Sequence, residues 1–168
     1  MTSNIQNPTS SEAEARSAAA AATEKAMQEI ATMNCPEEIE AVIAGLATDQ
    51  KVKVRLHNQE GAYLWQFCYG SVEVFVQLTG ETDDDTLTVW SYVLKLPAKN
   101  QAELMQKLLE KNWLTTFEAQ FGIVDSQIVV LTNRTIEGLS PAEISRAITL
   151  VATIADEHDD VLQAEYGH

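Results

Sequence analysis

The sequence predicts an α+β fold: an antiparallel sheet of about five to six strands with helices packed mainly on one face. Three observations carry this. Four short strand-like blocks lie between residues 51 and 96, the first with strict period-two alternation of apolar and polar residues. Helical spacing with cap signals flanks those blocks on both sides. The connections between the blocks are short, which requires hairpins rather than crossovers. Strands and helices therefore come in runs, the pattern of an α+β domain.

The elements follow in order. Residues 1–10 are polar, with no cationic start and no apolar stretch of the kind a secretory signal carries, and are expected to be disordered. Residues 11–33 hold five consecutive alanines, Ala18–Ala22, between Glu12, Glu14, Arg16 and Glu24, Lys25. That is helix composition, but the apolar stripe is thin and the helix needs a partner surface. The domain proper is placed at 34–168. Pro36 suits a first helical position, with Glu37 and Glu38 in the first turn. Ile39, Val42, Ile43 and Leu46 then repeat at i, i+3, i+4, i+7, and the helix ends near Ala47.

Lys51–His57 alternates strictly, with Lys51, Lys53, Arg55 and His57 on one face, as at a sheet edge that resists further pairing. Ala62–Tyr69 is apolar on both faces. Gly70–Ser71 turns the chain into Val72–Leu78. An acidic turn, Gly80–Asp85, leads to Thr86–Leu96, with Trp90, Tyr92, Leu94 and Leu96 expected on one face. Asn100 and Glu103 have capping-box spacing before a helix closed by Trp113. Gly122–Val124 and Gln127–Thr132 read as a hairpin around Asp125–Ser126. Ser140-Pro141-Ala142-Glu143 starts the last helix with a second capping box, and that helix runs to about Glu165.

Composition narrows the function. The chain has 168 residues with 11 basic and 25 acidic side chains, a net charge of −14. Binding through phosphate neutralisation requires the opposite sign, so nucleic acid is excluded as a partner. No apolar run reaches the roughly 18 residues of a membrane span. Two cysteines, Cys35 and Cys68, cannot form a disulfide framework, and a cytoplasmic location is expected. Acid is concentrated in the helical regions. Residues 51–100 hold 5 basic and 6 acidic groups, against 2 and 8 before them and 4 and 11 after. Solvated helix faces account for this. An acidic shell framing an apolar docking face is the functional alternative.

No catalytic constellation, metal or cofactor is expected. The three histidines, 57, 158 and 168, lack zinc-like spacing. Glu157-His158-Asp159-Asp160 points around a helix and reads as a solvated helix end. Asp83–Asp85 lacks the alternating oxygen ligands of a calcium loop and reads as a solvated turn. Cys68 has no nearby cation in sequence and reads as an inert buried thiol. There is no phosphate loop and no nucleophile elbow.

The segment Leu104–Gly167 resembles the C-terminal half of the YbjN domain. The resemblance rests on Leu108-Leu109-Glu110-Lys111-Asn112-Trp113, then Ala119-Gln120-Phe121-Gly122-Ile123 and Gln127-Ile128-Val129-Val130-Leu131. It continues through Gly138-Leu139-Ser140 to Ala155-Asp156-Glu157-His158-Asp159 and Leu162. It extends over about Pro36–Gly167. It implies a fold like that of class I chaperones of type III secretion systems, which are small, acidic, often dimeric and hold an extended partner protein on their surface. It implies no catalytic residue, and a fold alone does not fix a function.

The aromatic residues carry the functional expectation. Tyr63, Trp65, Phe67, Tyr69, Phe75, Trp90 and Tyr92 cannot share one face under strict alternation. Either both faces are covered or one presents aromatics outward, and an outward apolar patch marks an interface. The expected function is a non-enzymatic interaction module, chaperone-like or a regulatory adaptor, acting as a homodimer and holding a protein partner along its sheet. Contact is expected at Trp65, Phe67, Trp90 and Tyr92, with Lys51, Lys53 and Arg55 orienting an acidic partner. A small-ligand sensor or enzyme without a recognisable motif, and a purely structural homodimer, are the alternatives.

Overall fold

The computed structural model describes residues 34–48, 53–57 and 62–168, and three positions of the N-terminal segment, 17, 18 and 20, which are helical. The tail at 1–10, the rest of the helix expected over 11–33, and Lys51 lie outside the described residues. The chain divides into two units, Met1–Met33 and Asn34–His168. The sheet and its helices belong to the second.

Its order is α1 (Cys35–Leu46), β1 (Lys53–His57), β2 (Ala62–Tyr69), β3 (Val72–Leu78), β4 (Thr86–Lys95), α2 (Gln101–Leu114), β5 (Gln120–Val124), β6 (Gln127–Thr135) and α3 (Pro141–Tyr166). The six strands form one antiparallel sheet in the order β1-β2-β3-β4-β6-β5. The edges are β1 and β5. The class is α+β, as the alternation and short connections predict.

Local chemistry explains most boundaries. The Asn34 side chain accepts from the Glu37 amide at 3.4 Å and caps α1. Ser140 caps α3 with a complete capping box: its Oγ accepts from the Glu143 amide, and the Glu143 carboxylate accepts from the Ser140 amide at 2.9 Å. The β5–β6 turn places Asp125 and Ser126 at φ 49° and 59°, a left-handed pair that matches the twist of a tight hairpin. Gly70 turns β2 into β3 at φ +53°, and any side chain there would run into the Asp156 carboxylate.

Two local expectations are corrected. Asn100 sits in the left-handed region, φ 46° and ψ 42°, and makes no side-chain cap. Only its carbonyl starts α2, accepting from the Leu104 amide at 3.0 Å. Glu103, freed from capping, accepts from Tyr166 Oη at 3.4 Å. The second correction concerns β4. Its pairing with β6 shifts register between Tyr92 and Leu94, a bulge at Val93. Leu94 pairs with Ile128 and turns into the core instead of sharing the face of Trp90 and Tyr92.

The core lies between the sheet and α1 and α3. Register places Trp65, Val76 and Val89 in one row across β2, β3 and β4, with Phe67 and Val74 in the next, and all five are buried. α3 lies across the middle strands and supplies Ile144, Ile148, Val151 and Ala155 at helical spacing. Burial of that face is the main stabilising term of the domain.

Candidate functional site

The face of the sheet opposite α3 is the candidate site. Gln66, Phe75 and Trp90 lie in one row across β2, β3 and β4, with Leu131 of β6 next. Phe75 stacks on Trp90 with ring centroids 5.3 Å apart and planes 12° from parallel. The Tyr92 ring meets Phe75 edge-on at 5.8 Å. Each of the three is half-exposed. They form a rigid aromatic platform, because stacking and the strand backbone fix every ring. Beside it a groove of about 320 Å³ runs along Gln77, Thr88, Trp90 and Tyr92 to Val124, Asp125, Val129 and Leu131. Gly122 lies on this face of β5, and a side chain there would meet Leu131. Its absence keeps the hairpin close to β6.

Six of the seven expected contact residues are placed by strand register. Trp90 and Tyr92 are on the open face. Trp65 and Phe67 are not, which corrects the sequence expectation. They point to the helix side, at 0% and 1% exposure. Trp65 donates its indole N–H to Glu40 of α1 at 3.3 Å and stacks on Tyr63 at 5.3 Å. Both rings are core, unavailable to a partner. Lys53 and Arg55 lie in edge strand β1, in register with Gln66 and Leu64. Lys51 is outside the described residues.

Phe75 completes the platform, although it is not among the seven. The signal for it lay in the β3 alternation, where Phe75 is the one aromatic between Glu73 and Gln77.

A second apolar surface lies on the outer side of α2 and the chain that follows it. Trp113 is 88% exposed and Phe117 80%, and Leu109 and Leu114 are exposed with them. Only Leu104 and Leu108 of α2 are buried. The polar ties of α2 run inward. Lys107 pairs with Glu165 at 2.5 Å, and Lys111 Nζ lies 3.0 Å from His158 Nε2. Asn112 accepts from the Phe121 amide at 2.7 Å and donates to its carbonyl at 3.2 Å. It thereby occupies backbone groups of edge strand β5 that an added strand would need.

The remaining titratable clusters serve the fold. Asp85 accepts from the Thr79 and Thr82 hydroxyls and the Thr82 amide, and these bonds hold its carboxyl below the usual carboxylate range. The acidic turn is thus built on Asp85, while Asp83 and Asp84 are exposed. The acidic stretch of α3 is more than a solvated helix end, which corrects that reading. Asp156 accepts from the Ser71 amide at 2.7 Å, Asp159 accepts from the Ser71 hydroxyl at 2.9 Å, and His158 meets Phe121 edge-on at 5.5 Å. Cys35 is buried, and burial pushes its thiol up, away from the thiolate a nucleophile needs. Cys68 is half-buried. Among the described residues no group of three or more His, Cys, Asp or Glu side chains is placed to hold a metal ion. No helix among them is long and apolar enough to cross a membrane.

Comparison with known proteins gives three results. No curated protein matches the chain. The crystal structure of the ExsC–ExsE complex contains a chain similar to this one at a TM-score of 0.45 and 12% sequence identity, covering 77% of this chain and 97% of that one. The YbjN family, described as "Putative bacterial sensory transduction regulator", matches residues 36–164. That span takes in α1, the whole sheet, α2 and nearly all of α3. The chain therefore belongs to the YbjN family, the one its C-terminal residues resemble.

Proposed function

We propose that this protein is a non-enzymatic interaction module, a regulatory adaptor or chaperone-like holder that binds a protein partner on the open face of its sheet. The observation that carries the reading is the Phe75–Trp90–Tyr92 platform, left half-exposed on the face opposite α3. Contiguous apolar surface left open marks an interface, and interfaces are enriched in tyrosine and tryptophan. The adjoining groove of about 320 Å³ takes apolar side chains of an extended segment, with Gln77 and Thr88 available for hydrogen bonds. Lys53 and Arg55, in edge strand β1, and Lys51, two residues before Lys53 in sequence, orient an acidic stretch of that partner. The family's description as a sensory transduction regulator agrees with a role exerted through a partner. The working unit is a cytoplasmic homodimer.

The test is affinity capture from source-cell lysate with the native protein and a Trp90→Ala/Tyr92→Ala variant. The variant is first shown to be folded by circular dichroism and urea unfolding. Proteins held by the native form and lost with the folded variant support the reading. Equal capture by both overturns it.

A further inference from the structure

We infer that the groove beside the aromatic platform is an arginine pocket: it receives one arginine side chain of the partner protein, stacked on Trp90 and Tyr92 and paired with Asp125. This rests on the partner-binding reading and supplies the chemistry of its anchor. The lining is the first argument. The groove of about 320 Å³ is lined by Trp90, Tyr92, Val129 and Leu131, and by one charged side chain, Asp125. Aromatic faces attract cations through the negative face of the ring. A carboxylate beside them adds a directed, charge-assisted acceptor. Arginine matches this set part by part. Its stem covers Val129 and Leu131, its planar guanidinium stacks on a ring, and its fork of donors meets the carboxylate. Lysine carries a compact, strongly hydrated charge that stacks less well. An acidic side chain would be repelled by Asp125, and a purely apolar one would strip water from that carboxylate without replacing it.

The backbone fixes Asp125 in place. It is the first of the left-handed pair in the β5–β6 turn. The Ser126 carbonyl accepts from the Leu96 amide at 2.9 Å, which ties the turn to the chain just past β4, the strand that carries both rings. Asp125 is exposed, and among the described residues no cation pairs with it. Lys95, opposite Gln127 beside the turn, forms no ion pair there. A tight left-handed turn takes asparagine as readily as aspartate, so the turn alone does not call for a negative charge.

Charge and register agree with this occupant. The chain carries −14, and a field of that sign draws a cation toward its surface. Lys53, Gln66, Phe75, Trp90 and Leu131 stand in one register row across β1, β2, β3, β4 and β6. The basic edge strand lies at one end of that row, and the groove with Asp125 lies toward the other. The acidic stretch of the partner and its arginine are therefore held on opposite sides of the platform, which sets the direction in which the partner crosses the sheet.

The test uses the full chain and two probes: a glycine pentapeptide with a central arginine, and the same peptide with citrulline, the neutral isostere. Binding is read by NMR from the indole N–H resonances of Trp65, Trp90 and Trp113. The arginine peptide should shift Trp90 saturably and leave Trp65 and Trp113 in place. The citrulline peptide should bind at least about tenfold more weakly, as loss of a charge-assisted pair predicts. Asp125→Asn keeps the turn and should bring the two peptides within about threefold of each other. No preference for arginine in the native protein, or a preference that Asp125→Asn leaves unchanged, overturns the pocket. Affinity capture separates the pocket from partner binding as such. A protein lost with Trp90→Ala/Tyr92→Ala but held undiminished by Asp125→Asn overturns the arginine anchor alone. Equal capture by the native form and both variants overturns the anchor and the partner-binding reading together.

Discussion

The two faces of the same sheet carry similar residues and have different fates. On one, Trp65 and Phe67 are sealed beneath helices, and the Trp65 indole N–H finds Glu40. On the other, Phe75, Trp90 and Tyr92 stack on one another and stay half-exposed. Aromatic content does not distinguish the faces, because alternation sends rings to both. The path of the helices distinguishes them: α3 returns across β4 on the Trp65 side. A core aromatic therefore contributes to stability and a platform aromatic to recognition. Substitutions on the two faces should separate those quantities.

The largest effect should come from the covered face. Trp65→Ala removes a fully buried ring and leaves Glu40 without its donor, and should cost about 3–5 kcal/mol. Trp90→Ala loses one stacking partner on an exposed surface and should cost about 1 kcal/mol. Urea unfolding of the two variants measures the gap. Equal losses would mean that the platform is core and that the comparison fails. Gly70→Ala should fall between them, at about 1–3 kcal/mol. It forces a side chain into a left-handed turn and against Asp156, so that Ser71 loses its anchor on α3. A neutral result would show that this turn is not held by α3.

Much of this was legible from pattern. The β2 and β3 strands, α1 and the α3 capping box follow from alternation, helical spacing and cap chemistry, all of which are local. The misplacements share a cause, which is that they depend on contacts far apart in sequence. Whether the face of Trp65 or that of Trp90 is covered depends on α3, which begins at Pro141, more than fifty residues beyond either ring. The bulge at Val93 arises from pairing with β6 and breaks an alternation that reads as continuous. Asn100 has the composition of a cap but the backbone of a left-handed turn. The role of Asp156 and Asp159 requires Ser71 to be their neighbour. In sequence, Trp113 reads as the end of a helix stripe. Its exposure follows from how little of α2 packs inward, which spacing alone does not reveal.

A smaller effect sharpens the comparison at the end of α3 that anchors the covered face. Ser140→Ala removes the cap that holds the Glu143 amide and one donor to the Glu143 carboxylate, and should cost about 1 kcal/mol in urea unfolding. A loss as large as that of Trp65→Ala would make the cap, rather than packing, the main determinant of how α3 sits on the sheet.

The smallest effect is one of pH. The Glu143 carboxylate accepts from the Ser140 amide and hydroxyl and from Arg134 at 2.6 Å, and these partners hold its carboxyl below the usual range, Ser140 first. A carboxyl lowered by folding favours the folded state when ionised. Its contribution is complete above the unfolded glutamate value, about 4.3, and is lost as pH falls through the lower folded value. The Glu143 side chain is more than a third exposed, so solvent screening keeps the effect to about a few tenths of a kcal/mol. Glu143→Gln cannot offer two anionic acceptors. Its urea midpoint should lie below wild type at pH 7, and the two curves should converge as the pH drops from about 4.3 toward 3. Convergence is expected because protonation makes the native side chain as poor an acceptor pair as the amide. Asp85 and Glu165 are lowered too, but both variants share them, so they cancel in the difference. A gap that persists unchanged to pH 3 would mean that Glu143 acts through shape rather than charge. The start of α3, and with it the cover over the Trp65 face, would then be insensitive to ionisation at this cap.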